Sequence, residues 1–378
     1  MPLFLTFTFA FLGFSCISAA RVVLSLYALH LGAEPFQVGV LVAMFYVFPL
    51  VFSWPIGALS DRIKPQWPLL IGALGGALGM AIPYFWHAMA ALYVAAAMSG
   101  LALAILHVLA QNLVGMLSKA AERARNFSNF SMIGASTNFV GPLVAGLAID
   151  HTDQITACLF VVGIWLTSAT LILARGALLP TNKREPGPST HILATLADRK
   201  TWRMLATSSL AQLGTDIFQF YLPIHGHASG LSATAIGVVL SAFAVASFAV
   251  RSVLTRLVTR FGEERLLAYS FYLGAASFVL VPFCHSALPL AAVSFIFGCG
   301  MGCGQPITLM LMYSHSAPGR TGETLGVRLT VNNLMRVLGP ALFGSVGSVL
   351  GLAGVFAINA AVMALGGVLA LPPRKKAH

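Results

Sequence analysis

PTNKREPGPSTHILATLADRKT, residues 180–201, is the one long polar stretch in this chain of 378 residues. Its prolines, glycine and charges mark a linker. Six apolar runs precede it, at 3–31, 37–58, 67–86, 88–116, 129–149 and 156–178. Six more follow, at 203–226, 234–254, 266–284, 288–313, 324–349 and 352–371. Each has about the 20 residues that a helix needs to cross a bilayer. The chain as a whole is 58% hydrophobic and 9% charged, against roughly 25% charged in soluble domains. Such a chain cannot cover its surface in water, so its solvent is lipid. The sequence predicts an all-α polytopic membrane protein with twelve transmembrane helices in two parallel six-helix repeats. An N-terminal bundle spans 1–179, a cytoplasmic linker 180–201 and a C-terminal bundle 202–378.

The net charge of +11 would suggest nucleic acid in a soluble protein, but here the basic residues fall between apolar runs and report topology. Arg62, Lys64, Lys119, Arg123, Arg125 and Arg175 lie in loops of one side, as do Lys183, Arg184, Arg199, Lys200 and Arg203. Arg256, Arg260, Arg265, Arg320 and the C-terminal run Arg374, Lys375, Lys376 continue the pattern. The opposite loops hold no Lys or Arg, only acids such as Glu34, Asp150 and Asp153. Both termini are therefore expected in the cytoplasm. No positive segment precedes the first apolar run, so it is read as a span and not as a signal peptide. The five cysteines (Cys16, Cys158, Cys284, Cys299, Cys303) have no zinc-type spacing and read as small packing residues. No G-x-x-x-x-G-K loop exists to make ATP the direct driver. No cofactor, metal or nucleic-acid partner is expected, and the chain is read as a monomer.

Laying residue n over n+198 exposes an internal repeat. Gly32 meets Gly230, Gly39 meets Gly237, Arg62 meets Arg260 and Gly100 meets Gly298. Gly141-Pro142 with Gly146 meets Gly339-Pro340 with Gly344. The matches fall on turns and on Gly/Pro positions at one constant offset. Two parallel halves of this kind are a known transporter architecture.

Residues 57–62, G-A-L-S-D-R, end the second span and resemble the loop signature of the major facilitator superfamily. Lys64 and Pro65 stand where that pattern has Gly and Arg. Gly57 permits close helix approach. Asp61 is placed to face the positive N-terminal end of a neighbouring helix, the eleventh, with Arg62 pairing nearby; together they would gate the inner side. Gly141-Pro142-Leu143-Val144-Ala145-Gly146 in the fifth span resembles a motif of the proton antiporter branch, and Gly339-Pro340 repeats it in the eleventh. A proline inside a helix removes a hydrogen bond and bends it, so these four residues are read as hinge and packing devices.

The resemblance implies that helices 1, 4, 7 and 10 line a central cavity, with 2, 5, 8 and 11 beside them. Ionisable groups deep in a span cost at least ~2.5–3.5 kcal/mol by insertion scales, and four occur: Arg21, His107, Asp216 and Arg336. Gln212, Asp216 and Gln219 share one helix face at i, i+4 and i+7, as do His107 and Gln111. Gln305 holds the repeat position of His107, and Arg328, Asn332 and Arg336 line one side of the eleventh span. Arg328 is expected to snorkel to the inner surface, and Arg251 to act as an interfacial anchor. The substrate-binding candidates are Arg21, His107, Gln111, Gln219, Gln305, Asn332 and Arg336. Asp216, the sole acid deep in a span, is the proton-coupling candidate; Arg21 is a possible structural ion partner for it. Cys299 and Cys303 amid glycines read as close helix packing. His225-Gly226-His227 lacks the carboxylate or thiol that a catalytic site would need.

These residues point to a proton-coupled secondary transporter in the inner membrane, moving a small anionic or zwitterionic molecule outward by alternating access. The alternatives are proton-symport uptake of an organic anion, a transport-inactive membrane sensor, or a membrane-embedded enzyme.

Overall fold

The structure is a computed structural model describing residues 2–33, 35–180, 199–231, 233–316 and 320–371. Outside them lie Glu34, linker residues 181–198 and the basic run 374–376; so do the side chains of Arg199, Lys200, His227 and Pro340, and the surroundings of Gly39, Gly237 and Gly344.

The apolar runs fold as helices throughout. In chain order they are α1 (Pro2–His30), α2 (Pro35–Ser60), α3 (Gln66–Phe85), α4 (Met89–Leu117), α5 (Arg123–His151) and α6 (Gln154–Arg175). After the linker come α7 (Arg199–Ala228), α8 (Ala233–Ser252), the short α9 (Leu254–Phe261), α10 (Glu263–Leu280), α11 (Ala287–His315) and α12 (Thr321–Ala370). Gly351, at φ 69°, breaks α12 into two spans.

Among the described residues, nine helices are long and apolar enough to cross a membrane. The pair α8–α9, bent by 63°, makes a tenth if counted as one span. The seventh and eleventh runs are also full-length helices, but polar residues dilute them. Gln212, Asp216 and Gln219 do so in α7; Arg328, Asn332, Asn333 and Arg336 do so in the first part of α12. These two diluted spans carry the Asp216–Arg336 ion pair.

The chain packs as two compact units. The first comprises Met1–Ala121, Phe130–Ile192 and Ser316–Asn333; the second comprises Glu122–Asn129, Leu193–His315 and Leu334–His378. Within the first, α4 packs against α1, α2 and α3, and α6 against α1 and α3. Within the second, α11 packs against α7, α8 and α10. An aromatic cluster anchors that second core: Phe218 stacks on Phe297 at 3.8 Å, with Phe278 edge-on at 5.7 Å. Offset-stacked and edge-on arrangements are the ones that aromatic quadrupoles favour.

The repeat is visible in backbone detail. Gly32 and Gly230 end α1 and α7 with φ of 79° and 77°, a left-handed conformation cheap only for glycine. Around Gly32, the Leu31 and Ala33 amides donate to the carbonyls of Tyr27 and Ala28 at 3.0 Å each. Around Gly230, Ser229 and Leu231 donate to His225 and Gly226 at 2.9 and 3.0 Å. Donors and acceptors all correspond at the same offset, and both turns close orphan carbonyls in the manner of a helix C-cap. Gly100 and Gly298 also match. A Cβ on Gly100 would lie 2.8 Å from the Phe45 carbonyl oxygen, and one on Gly298 2.5 Å from that of Phe243. The missing side chains let α4 sit on α2 and α11 on α8 by the same contact.

Candidate functional site

Asp61 follows the last residue of α2, in a turn, and is 4% exposed. Its Oδ1 accepts the Gly322 amide at 2.9 Å and its Oδ2 the Glu323 amide at 3.0 Å. These are amides of the first turn of α12, which have no intrahelical acceptor; a carboxylate there also meets the positive end of the helix dipole. Asn112 of α4 donates to Asp61 Oδ1 and to Ser60 Oγ, at 3.4 Å each. Burial pushes the Asp61 carboxyl up to about 6, against the downward pull of the two amides and Asn112; the Glu323 carboxylate adds a further push upward. Glu323, itself buried, is held by Arg320 through two contacts of 2.8 and 2.9 Å. Arg62 is exposed.

Small residues bring these backbones together. A Cβ on Gly57 would strike the carbonyl of Gly322, and one on Gly326 the carbonyl of Ser53. Ser53 and Gly57 on α2 thus interlock with Gly322 and Gly326 on α12, each pair spaced i, i+4. Asn112, Glu323, Gly322 and Gly326 were not among the residues selected from sequence. The Gly322–Gly326 spacing is the signal that could have found two of them.

The Gly-Pro motifs prove to be packing seats. A Cβ on Gly141 would lie 2.8 Å from the Ser15 carbonyl, and one on Gly339 2.6 Å from Leu213 Cδ1. Ser15 and Leu213 are again repeat partners, so α5 meets α1 as α12 meets α7. Both helices continue through the motif. Pro142 is half-buried inside α5.

In the second unit, Asp216 and Arg336 come together. Arg336 Nε donates to Asp216 Oδ2 at 3.3 Å, while Gln212 Nε2 donates to Oδ1 at 2.8 Å. The two ionic side chains are 33% and 31% exposed. Arg336 lies midway between Thr321 and the break at Gly351. Charge at such depth is tolerated when paired. Gln219, on the same face of α7, is exposed, and Gln305 of α11 is half-buried.

In the first unit, Arg21 lies over the rings of Tyr46 and Phe45, 5.1 and 5.8 Å from their centroids, within cation–π range. Within the second unit, the ion-pair partner of Asp216 is Arg336. His107 meets Phe14 edge-on at 4.9 Å and Phe130 at 6.5 Å. Gln111 is fully buried, and neither amide atom has a hydrogen-bond partner among the described residues. Asn332 is 6% exposed.

One expectation about the basic residues needs correction. Arg328 does not snorkel: it is 2% exposed, because the first turns of α12 are packed into the first unit and leave its stem no route to water. Arg251 anchors a helix pair, its Nε donating to the Gly302 carbonyl of α11 at 3.0 Å. That carbonyl is reachable because Gly302 has no side chain, a Cβ there falling 2.7 Å from Ser247 Cα. The glycine–cysteine run of α11 is a packing surface in the same sense. Its two cysteines, Cys299 and Cys303, are free thiols, as are Cys16, Cys158 and Cys284 elsewhere in the chain.

The comparisons agree with this geometry. The sequence profile of the Major Facilitator Superfamily matches residues 3–340 and, in a second alignment, 204–378. The multidrug resistance protein MdtG of Salmonella paratyphi A is 23% identical over 339 residues, 86% of this chain and 82% of that protein. Among solved structures, the human organic anion transporter MFSD10 (TETRAN) superposes with a TM-score of 0.75 at 17% identity, covering 98% of this chain and 100% of that one. A bacterial homologue of the iron transporter ferroportin gives 0.81 at 14% identity, covering 98% of each. The chain therefore belongs to the major facilitator superfamily, and is an integral membrane transporter of a small molecule, driven secondarily, and not an enzyme.

Proposed function

We propose that this protein is a proton-coupled transporter that exports a small anionic or zwitterionic organic molecule across the cytoplasmic membrane by alternating access. The halves 1–179 and 202–378, joined by the linker 180–201, are the moving bodies of this reading. It works as a monomer with both termini inside. The observation that carries it is Asp216, the sole acid deep in a span, held by Arg336. A carboxylate at that depth changes its proton affinity as its partner moves, which is what coupling requires. Arg21 and Arg336 against one acid keep the polar inventory neutral-to-positive, which disfavours cationic substrates. Export is supported by the MdtG relative, whose name describes multidrug resistance.

Asp61 serves as the inner gate in this reading. Its bonds to the first turn of α12 are made in one state and broken in the other, with Gly57, Gly322 and Gly326 setting the approach. Arg21, His107, Gln111, Gln219, Gln305, Asn332 and Arg336 are the substrate contacts. Gly141, Pro142, Gly339 and Pro340 set how α5 and α12 rest on their neighbours, and Arg62 supports the gate.

A second reading, proton-symport uptake of an anion, is favoured by the ion pair itself. A proton on Asp216 releases Arg336 for an anion, so the two would travel together. Proteoliposomes with an imposed pH gradient of either sign decide between them. Export coupling predicts accumulation on the acidic side, symport on the alkaline side. Equal accumulation under both gradients would remove proton coupling altogether.

A further inference from the structure

The membrane-crossing α8 ends in a sharp bend. The segments Val238–Ser252 and Leu254–Phe261 meet at 63°, so α9 turns from the direction of the span toward the plane of the membrane surface. Its sequence, LTRLVTRF, divides by side. Leu254 is buried in the core of the second unit, and Leu257 and Val258 pack against that core. Arg256, Thr259 and Arg260 are exposed. A short helix with one apolar and one basic face, at the end of a span, has the character of an interfacial helix.

The arginines here are not spent on the protein. Arg256, Arg260 and, near the start of α10, Arg265 are exposed, and among the described residues none of them forms an ion pair. The neighbouring acids are turned elsewhere. Glu263 and Glu264 are half-buried, and the basic groups that act on Glu263 are His315 and Arg123. Positions i and i+4 of a helix lie side by side, so Arg256 and Arg260 can close on one anion, and the guanidinium fork matches phosphate oxygens. Aromatic and then apolar surface follows. The Arg260 guanidinium lies 5.4 Å from the centroid of Phe261, which meets Tyr269 of α10 edge-on at 5.9 Å. Both rings are exposed, and α10 continues on that face with exposed Tyr272, Leu273 and Leu280.

A cationic site, a pair of rings and an apolar stripe thus succeed one another from α9 along α10. A phospholipid presents phosphate, glycerol esters and acyl chain in the same order, and aromatic rings favour that intermediate level. We infer that α9 and the first turns of α10 form a binding site for an anionic phospholipid. Arg256 and Arg260 hold its phosphodiester, with Arg265 adding attraction. Phe261 and Tyr269 meet the glycerol region, and an acyl chain lies along the exposed face of α10. A soluble phosphate would use the arginines and leave the rings and the stripe unserved. A zwitterionic lipid would bring its own cation against three arginines. The site shares no residue with the Asp216–Arg336 pair or the Asp61 gate, and does not depend on which molecule is transported.

The test is native mass spectrometry of the purified full chain released from detergent micelles, titrated with dioleoylphosphatidylglycerol or dioleoylphosphatidylcholine. The wild type should bind the phosphatidylglycerol about tenfold more tightly, the size expected for two arginines at an anionic surface. The double variant Arg256→Gln, Arg260→Gln should lose that preference and keep its affinity for phosphatidylcholine. Lys119→Gln with Arg175→Gln removes the same charge from exposed positions elsewhere and should keep the preference. Equal binding of the two lipids by the wild type would overturn the inference without any variant. An equal loss in the two double variants would also overturn it, because the attraction would then belong to the net charge and not to this site. Displacement of bound phosphatidylglycerol by an equal concentration of inorganic phosphate would assign the arginines to a soluble anion and overturn the lipid assignment.

Discussion

At the scale of single residues two carboxylates stand apart, Asp61 at a helix start and Asp216 in an ion pair within a span. Asp61 is raised from an ordinary 3.8 to about 6 in the folded chain. Between those values the folded protein holds a proton that the unfolded chain has lost. The stability it adds is complete below about 3.8 and gone above about 6. The melting temperature of the wild type relative to Asp61→Asn should therefore fall as pH rises from 4 to 6; parallel curves would contradict this. At pH 7 the same substitution replaces a carboxylate oxygen that accepts a helix-start amide with an amide nitrogen that cannot, and should reduce transport while leaving expression intact. For Asp216, gradient-driven transport should drop about tenfold or more in Asp216→Asn, equivalent to some 1.4 kcal/mol of lost coupling. Arg336→Ala strands a carboxylate, so it should lower the melting temperature, and adding Asp216→Asn should restore part of the loss. The pair is a third exposed, which limits the recovered energy to about 1 kcal/mol. A double variant no more stable than the single would mean that the pair adds nothing to folding. Both acids are conspicuous in the sequence, one by its motif and one by its depth. Their partners are not: Gly322 and Glu323 lie 261 and 262 residues from Asp61, and Arg336 lies 120 from Asp216, separations that no local pattern encodes.

Helices meet here through glycine. Gly57 against Gly322, Gly100 against Phe45 and Gly298 against Phe243 are all backbone approaches that a single methyl would block. Gly57→Ala places a carbon against the Gly322 carbonyl and should cost about 1–3 kcal/mol by overpacking. Gly75→Ala on α3, where a Cβ would meet nothing within 4 Å, is the control and should be neutral. Equal melting temperatures for the two variants would refute the close α2–α12 contact. The sequence marked Gly57, Gly100 and Gly298 through motif and repeat, since glycine in an apolar helix is conspicuous. It gave no sign that Ser53 and Asn112 belong to the same contact, because serine and asparagine acquire that role only from what they face.

For the whole molecule, orientation remains open to a direct check. Single cysteines at Asp153 and Gly230 should label from outside intact cells, and one at Lys64 should not; labelling of Lys64 would invert the topology. That the chain lives in lipid follows from composition, because a surface with so few charges cannot be wetted. Twelve helices in two repeats follow from the spacing of apolar runs and the constant 198-residue offset, which reflect local and periodic physics. Polar residues enough to suggest a transporter also stand out, since each is costly in lipid and so conspicuous. Only the tertiary structure brought Arg336 to Asp216, buried Arg328 instead of letting it snorkel, and set Asp61 on the first turn of α12. Those choices depend on which side chains distant segments bring within a few ångströms, and electrostatic pairing in a low-dielectric interior is decided at that range.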